Sequence, residues 1–352
     1  MKSVFENKTI MVTGGCGSIG AEIVRQLLQF DPEQIRILDH HENGHFVLSQ
    51  DVRSPRMRHL IGDIRDRERV IRAMEGVDIV FHAAALKHVP FCEYDPFEAV
   101  NTNVIGTKNL IDVAIKERVE KFIGISTDKA VNPVNTMGAT KLLSEKIITN
   151  APIGKSHVKA CCVRFGNVLA TTGSVIPIFQ KQIADGHELT ITSPEMTRFF
   201  MSLSDAVRLV LKAAEMVEGG ETFILKMGAL RITDLAEVMV EELAPKHGKN
   251  PKDFTYKIIG VRPGEKLFET LMSPEEAAYT EERDDMLILR NSLLSNYGKK
   301  QIAGNMSLTN LSKYSSNSVV LLNKDQIRKN LYEKKILEEP KTGKRRHEKS
   351  NC

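Results

Sequence analysis

Thr13-Gly14-Gly15-Cys16-Gly17-Ser18-Ile19-Gly20 decides the fold. The stretch follows an apolar, β-branched run near Thr9–Val12 and opens a segment of helical period, the strand-turn-helix setting in which scattered glycines become a nucleotide-binding fingerprint. Gly14 permits the tight turn, Gly17 lets the backbone approach a pyrophosphate, and Gly20 lets helix and strand pack closely. The amides at the helix start, those of Ser18 and Ile19, then face the phosphates. Asp39 ends the next strand, 19 residues after Gly20, where a carboxylate accepts hydrogen bonds from the ribose hydroxyls of NAD and repels the 2′-phosphate of NADP. NAD is therefore expected, with His40 and His41 as cations that keep NADP possible. Asp63, at the end of the third strand, has two readings: a contact to the adenine edge, or an N-cap for a helix from Arg65 onward.

Working outward, the first 165 residues alternate short apolar runs with longer helical ones, the pattern of βαβ units feeding a parallel sheet. Strands are expected near Thr9–Val12, Gln34–Leu38, His59–Ile61, Ile79–Ala83, Lys121–Ile125 and Lys159–Val163. Ile64, Ala83 and Ala84, at strand ends, are expected to line the cofactor cleft. Pro96–Glu117 places Phe97, Val100, Val104, Leu110 and Ile111 mostly three and four apart, which predicts a sheet-packed helix. After Phe165 the rhythm loosens, with Pro177, Gly186, Pro194, Gly219-Gly220 and Pro263-Gly264 as punctuation. The expected fold is α/β: a Rossmann-type doubly wound parallel sheet with a smaller mixed α/β substrate lobe. Residues 1–168 form the NAD(P)-binding domain, with 203–218 packing back on it; 169–337 are mainly the second lobe and a last helix near Asp325–Glu333. Ser315–Ser318 reads as a polar break, and 338–352 as a disordered basic tail.

Composition narrows the class. With 352 residues, 41% hydrophobic and 27% charged, the chain can bury a large core. Five cysteines without paired spacing, and a polar start lacking a signal-peptide hydrophobic region, point to a reduced, cytoplasmic setting. No run reaches the roughly 18 apolar residues of a membrane span. The tail from Lys299 carries 13 Lys/Arg against 5 Asp/Glu, a surplus of 8, leaving −4 of the net +4 for the body. That tail has no aromatic interleaving, so it reads as solvated and no nucleic-acid partner is expected. The ten histidines show no ligand spacing, so no metal is expected.

Chemistry in such sheets gathers at the carboxyl ends of strands. There stand Ser126-Thr127-Asp128-Lys129, an acid and a base side by side, and Met137-Gly-Ala-Thr-Lys141 follows on the next helix. Met137 and Lys141, four apart, share a helical face, from which Lys141 can reach a nicotinamide ribose.

These blocks, with Ala83-Ala-Ala-Leu-Lys-His-Val-Pro90, Asn101-Thr-Asn103, Arg164-Phe-Gly-Asn-Val168, Pro194-Glu-Met-Thr-Arg198 and Arg262-Pro-Gly-Glu-Lys266, resemble the extended short-chain dehydrogenases. Within them they resemble the polysaccharide-biosynthesis group that contains UDP-N-acetylglucosamine 4,6-dehydratases. One departure stands out: where the superfamily has the tyrosine of Tyr-x-x-x-Lys, this chain has Met137, as do some dehydratases of the group. Another residue must then serve the C4 hydroxyl, and Thr127, Asp128 and Lys129 are the candidates.

The resemblance implies an internal redox cycle: hydride from sugar C4 to a tightly bound, recycled NAD, loss of water across C5 and C6, and hydride return to C6. It implies base chemistry at C5 for Lys129, protonation of the departing C6 hydroxyl for Asp128, and ribose positioning for Lys141. Lys129 can act as a base only where burial or a nearby cation lowers its pKa. A UDP-sugar substrate calls for cations and donors, which makes Arg198 and Arg262 diphosphate candidates. Asn167 is implied near the diphosphate, Glu265 at the uridine ribose, and Lys87 and His88 along the sugar pocket. The plainer readings are a helix cap for Arg198, a solvent-facing pair for Glu265 and Lys266, and a structural histidine for His88. A homo-oligomer is expected through helices flanking the sheet. The alternative activities are a UDP-sugar 4-epimerase and a non-catalytic NAD-binding protein.

Overall fold

The computed structural model describes residues 1–153, 156–169, 175–291, 293, 309–333 and 336–337. A nine-stranded sheet forms its centre. Strands β1 (Thr9–Thr13), β2 (Gln34–Asp39), β3 (Met57–Ile61), β4 (Ile79–His82), β5 (Lys121–Ile125) and β6 (Lys159–Arg164) lie parallel in the order 3-2-1-4-5-6. Parallel strands are covered by helices on both faces, so they read as continuous apolar runs. Ile10, Met11 and Val12, and Ile79, Val80 and Phe81, are all fully buried. The order reverses between β1 and β4, and the crevice that forms outside the carboxyl ends at such a point is where these sheets take ligands.

Past Phe165 the sheet takes back more of the chain than the loosened rhythm implied. Thr222–Leu225 pairs parallel with β6, and Met286–Leu289 and Thr280–Glu282 continue antiparallel to the edge. The helix Leu203–Met216, capped by the Ser202 hydroxyl, packs on the helix Ser18–Leu27. The remaining elements build a separate apolar cluster. The helices Val175–Asp185, Ile232–Leu243 and Lys324–Glu333 pack Ile176, Phe179, Leu235, Val238 and Leu331 beside the short strands Leu189–Ile191 and Thr197–Met201. Residues 338–352, the tail expected to be disordered, lie outside the described residues.

Three local expectations are corrected. Pro96–Glu117 is two α-helical pieces, Pro96–Val100 and Thr107–Lys116, joined by a π-helical turn over Asn101–Gly106. The wider turn rotates the first piece, so Leu110 and Ile111 face the sheet while Phe97 is 70% exposed. The helix after β3 is Arg67–Met74, and its cap is Asp66, which accepts from the Arg69 amide at 3.0 Å; Asp63 does not cap it. Of the polar break expected over Ser315–Ser318, Ser316–Ser318 is a turn, but Ser315 belongs to a strand. Tyr314–Ser315 pairs with Thr270–Met272, and the buried Ser316 hydroxyl bonds Thr197.

Candidate active site

The crevice at the switch point has a volume of about 890 Å³ and runs from the glycine turn to the ends of β5 and β6. Close approach of backbone shapes its floor. Gly14 has φ +66°, and a Cβ on it would stand 2.5 Å from the Ala84 amide nitrogen; a Cβ on Gly20 would stand 2.2 Å from the Gly14 carbonyl oxygen. Only glycine fits either position. Gly14, Gly17, Ser18, Ile19, Gly20, Asp39, Asp63, Ile64, Ala83, Ala84 and Lys141 all line this crevice. The Asp39 carboxylate accepts from the backbone amides of Cys16 and His41, both at 3.0 Å, which fixes its orientation at the end of β2. Asp63 holds Arg65 through its carboxylate, and Arg65 in turn reaches Glu98, an ion chain along the rim.

Buried polar side chains hold the far wall. The Asn103 amide, presented by the π-helical turn, accepts from the Leu86 amide at 2.8 Å, donates to the Leu86 carbonyl at 3.0 Å, and donates to Thr140 Oγ1 at 3.0 Å. It thereby ties the Ala83–His88 segment to the helix Thr136–Asn150, which carries Met137 and Lys141 into the crevice. Behind them His82 lies between Thr13 Oγ1 at 2.8 Å and Thr107 Oγ1 at 2.9 Å. Complete burial, with the Lys141 charge nearby, pushes its pKa down to about 3, so the ring is neutral. Lys141 donates to the Ile125 carbonyl at 2.5 Å, and burial lowers its pKa.

At the end of β5 the Thr127 hydroxyl donates to Asp128 Oδ1 at 2.8 Å, and Lys129 Nζ donates to the same oxygen at 2.9 Å. Thr127 and Lys129 line the crevice, whereas Asp128 is wholly buried behind them. Its second oxygen, Oδ2, has no partner among the described residues and lies by Gly166, where a Cβ would stand 3.2 Å away. The condition set for Lys129 as a base is not met in this structure: burial pulls its pKa down, but the carboxylates of Asp128 and Glu269 outweigh that and hold it above the ordinary lysine value.

The residues expected to meet a substrate divide. Lys87, His88 and Asn167 line the crevice, and Asn167 Oδ1 is a buried acceptor without a partner among the described residues. Burial lowers the pKa of Lys87 and of His88, the latter also through Lys87. Arg198, Arg262 and Glu265 are outside the lining. Arg198 is buried and spends its guanidinium on the carbonyls of Thr197, Lys266 and Leu267, so it braces a loop; it neither caps a helix nor opens to a phosphate in this structure. Arg262 is exposed. Glu265 is half-buried, and its Oε2 is enclosed without a partner among the described residues rather than paired with solvent, while Lys266 donates to the carbonyls of Val131 and Asn132.

Two features escaped the sequence reading. Glu145 accepts from Ser126 at 2.5 Å and pairs with the buried Arg164 at 2.7 Å, and Arg164 also holds Glu276, which joins the ends of β5 and β6 to the C-terminal region. Glu269 lies 3.5 Å from Lys129 Nζ and 3.8 Å from Arg198 Nε. Glu269 signals itself only as a lone charge between Phe268 and Thr270, three residues past Lys266, and Glu145, beside Lys146, reads as an ordinary helix-surface charge. Among the described residues no cluster of three or more His, Cys, Asp or Glu is arranged to hold a metal ion, and no helix is long and apolar enough to cross a membrane.

A family model described as polysaccharide biosynthesis protein matches residues 10–291. A UDP-N-acetylglucosamine 4,6-dehydratase (inverting) of Campylobacter jejuni is 42% identical, over 82% of this chain and 85% of its own. A UDP-glucose 4-epimerase of Rickettsia canadensis is 41% identical, over 92% and 95%. Among solved structures, Pen from Bacillus thuringiensis superposes with a TM-score of 0.88 at 39% identity, covering 94% of this chain and 99% of that one. The dTDP-glucose 4,6-dehydratase DesIV of Streptomyces venezuelae, solved with NAD bound, has a TM-score of 0.66 at 25% identity, covering 74% and 86%.

Proposed function

This chain belongs to the polysaccharide-biosynthesis group of the extended short-chain dehydrogenases, enzymes that modify nucleotide sugars, and on that premise we propose that it is a UDP-N-acetylhexosamine 4,6-dehydratase. One observation carries the choice of reaction. Thr127, Asp128 and Lys129 form a hydrogen-bonded acid-base set at the crevice wall, and Asp128 keeps one buried oxygen unpaired among the described residues. A 4-epimerase needs proton transfer at C4 alone, whereas dehydration needs a base at C5 and an acid at C6 as well. The 41% identity to an epimerase supports the second reading.

NAD fits the glycine cradle and the pre-oriented Asp39 carboxylate, and when bound it supplies a hydride acceptor for C4 and a donor for C6. The residues do the rest. Met137 lines the crevice but carries no proton, so the C4 hydroxyl passes its proton to Thr127 Oγ1 as Thr127 passes its own to Asp128 Oδ1. Asp128, now neutral, returns the proton from Oδ1 through Thr127 Oγ1, which lines the crevice, to the departing C6 hydroxyl, which leaves as water. Lys129 takes the C5 proton and later returns one there. Lys141 orients the nicotinamide ribose; Lys87, His88 and Asn167 hold the sugar and diphosphate; and Arg262 and Glu265 join them when their loop closes on the uridine. Self-association belongs to the same reading, through the helices Val89–Tyr94 and Pro96–Val100, whose Phe91, Tyr94 and Phe97 are exposed.

NMR of the product formed from UDP-N-acetylglucosamine tests the proposal. A 4-keto-6-deoxy sugar is expected. A C4 epimer with its C6 hydroxyl intact would make the epimerase reading correct, and NAD binding without turnover of any UDP-hexosamine would make the chain a binding protein.

A further inference from the structure

Lys129 enters the proposed reaction as a base, yet its ammonium has two carboxylate neighbours and carries its proton in the resting state. The reaction itself removes one of those charges, because Asp128 is neutral once C4 is oxidised. The other neighbour is Glu269. Its backbone is stitched on both sides: the amide donates to Ser316 Oγ at 3.1 Å, and the carbonyl accepts from the Ser316 amide at 2.9 Å and from Ser315 Oγ at 3.1 Å. Its side chain is buried, with Oε1 facing Lys129 and Arg198 and Oε2 without a partner among the described residues. The charged groups around it are Lys129 and Asp128 after β5, Arg198 on the strand Thr197–Met201, and Lys266 on its own segment. A carboxylate so enclosed, outside the crevice lining and incompletely paired among the described residues, can take up one proton.

We propose that Glu269 is a positioning residue that acts through Lys129: it takes a proton from Nζ when Asp128 has been neutralised, and hands it back when the cycle closes. The inference rests on the dehydratase reading. The protons balance. At rest Asp128 and Glu269 are anionic and Lys129 is cationic. Oxidation at C4 puts the C4 hydroxyl proton on Asp128, and the Lys129 proton moves to Glu269, leaving a neutral amine. The amine takes the C5 proton, and Asp128 gives its proton to the C6 hydroxyl, which departs as water. As hydride returns to C6, Lys129 reprotonates C5, and Glu269 restores the lysine's proton. Burial, partly opposed by Lys129, raises the Glu269 pKa, which suits a carboxylate that must hold a proton.

The test compares wild type with Glu269→Gln, which keeps the shape and loses the proton acceptor, both loaded with NAD and given UDP-N-acetylglucosamine in deuterated water. Deuterium incorporation at C5 is expected to fall about 100-fold or more, the scale of a lost general base. Reduced nicotinamide should accumulate in the variant, because C4 oxidation precedes the lost step. The residual rate should climb with pH across the lysine range, where wild type is flat. Glu269→Asp, which restores an acceptor, should recover part of the exchange and the flat profile. If the glutamine variant does not fold, the aspartate variant carries the test: its retreat from Nζ should slow C5 exchange with the same accumulation. Wild-type exchange and profile in whichever variant folds would overturn the inference. Failure of wild type itself to release water would instead overturn the dehydratase reading.

Discussion

Stability between neutral and mildly acidic pH should depend on His82. The side chain lies between two threonine hydroxyls behind the crevice wall, and its folded-state pKa is about 3 against an ordinary 6.5. The unfolded chain therefore binds a proton that the folded chain refuses, so stability falls as pH drops below about 6.5 and keeps falling until about pH 3. Treating the site alone, the loss between about pH 7 and about pH 4.5 is between about 2 and 3 kcal/mol. The assay is urea unfolding of wild type and His82→Gln at both pH values. The variant has no titrating ring, and all other groups are shared, so the difference between the two pH dependences isolates His82. Wild type should lose between about 2 and 3 kcal/mol more than the variant over that interval. Equal losses would refute the account of His82 as a ring locked neutral by burial.

Arg164→Met strands Glu145 without its buried cation, and should cost about 3 to 5 kcal/mol in urea melts; Glu145→Met added to it should recover much of that. Gly14→Ala forces a Cβ into the Ala84 backbone at φ +66°, and should weaken NAD binding at least about 10-fold by calorimetry while the chain still folds. Gly166→Ala puts a Cβ 2.7 Å from that of Phe199 and beside Asp128 Oδ2, so turnover should drop more than NAD affinity. Asp128→Asn keeps the Thr127 contact but cannot take the C4 proton, and should cut turnover by at least about 100-fold.

The parallel sheet and the crevice at its switch point were legible because local signals agreed there: buried apolar runs, a glycine turn that strains any larger residue, and a carboxylate one strand later. The eleven residues expected along the cofactor cleft all line one crevice. Legibility fell where contacts are long-range. Thr222–Leu225 and Met286–Leu289 are too short to announce which sheet they join. The π-helical turn at Asn101–Gly106 breaks a clean helical period, so Phe97 was assigned to the wrong face. Arg198 carries the right charge for a phosphate, but folding turns it onto the carbonyls of Lys266 and Leu267, a fate set by loop geometry and not by composition. Glu269 could not be singled out before Lys129 was seen 3.5 Å away.

Proton transfer at C5 and C6 beside Lys129 and Asp128 is what separates a dehydratase from the alternatives. The most direct measurement is the mass of the nucleotide sugar after UDP-N-acetylglucosamine is incubated with the NAD-loaded enzyme in deuterated water. Loss of one water with one deuterium gained at C5 is the expected result; a sugar of unchanged mass contradicts it.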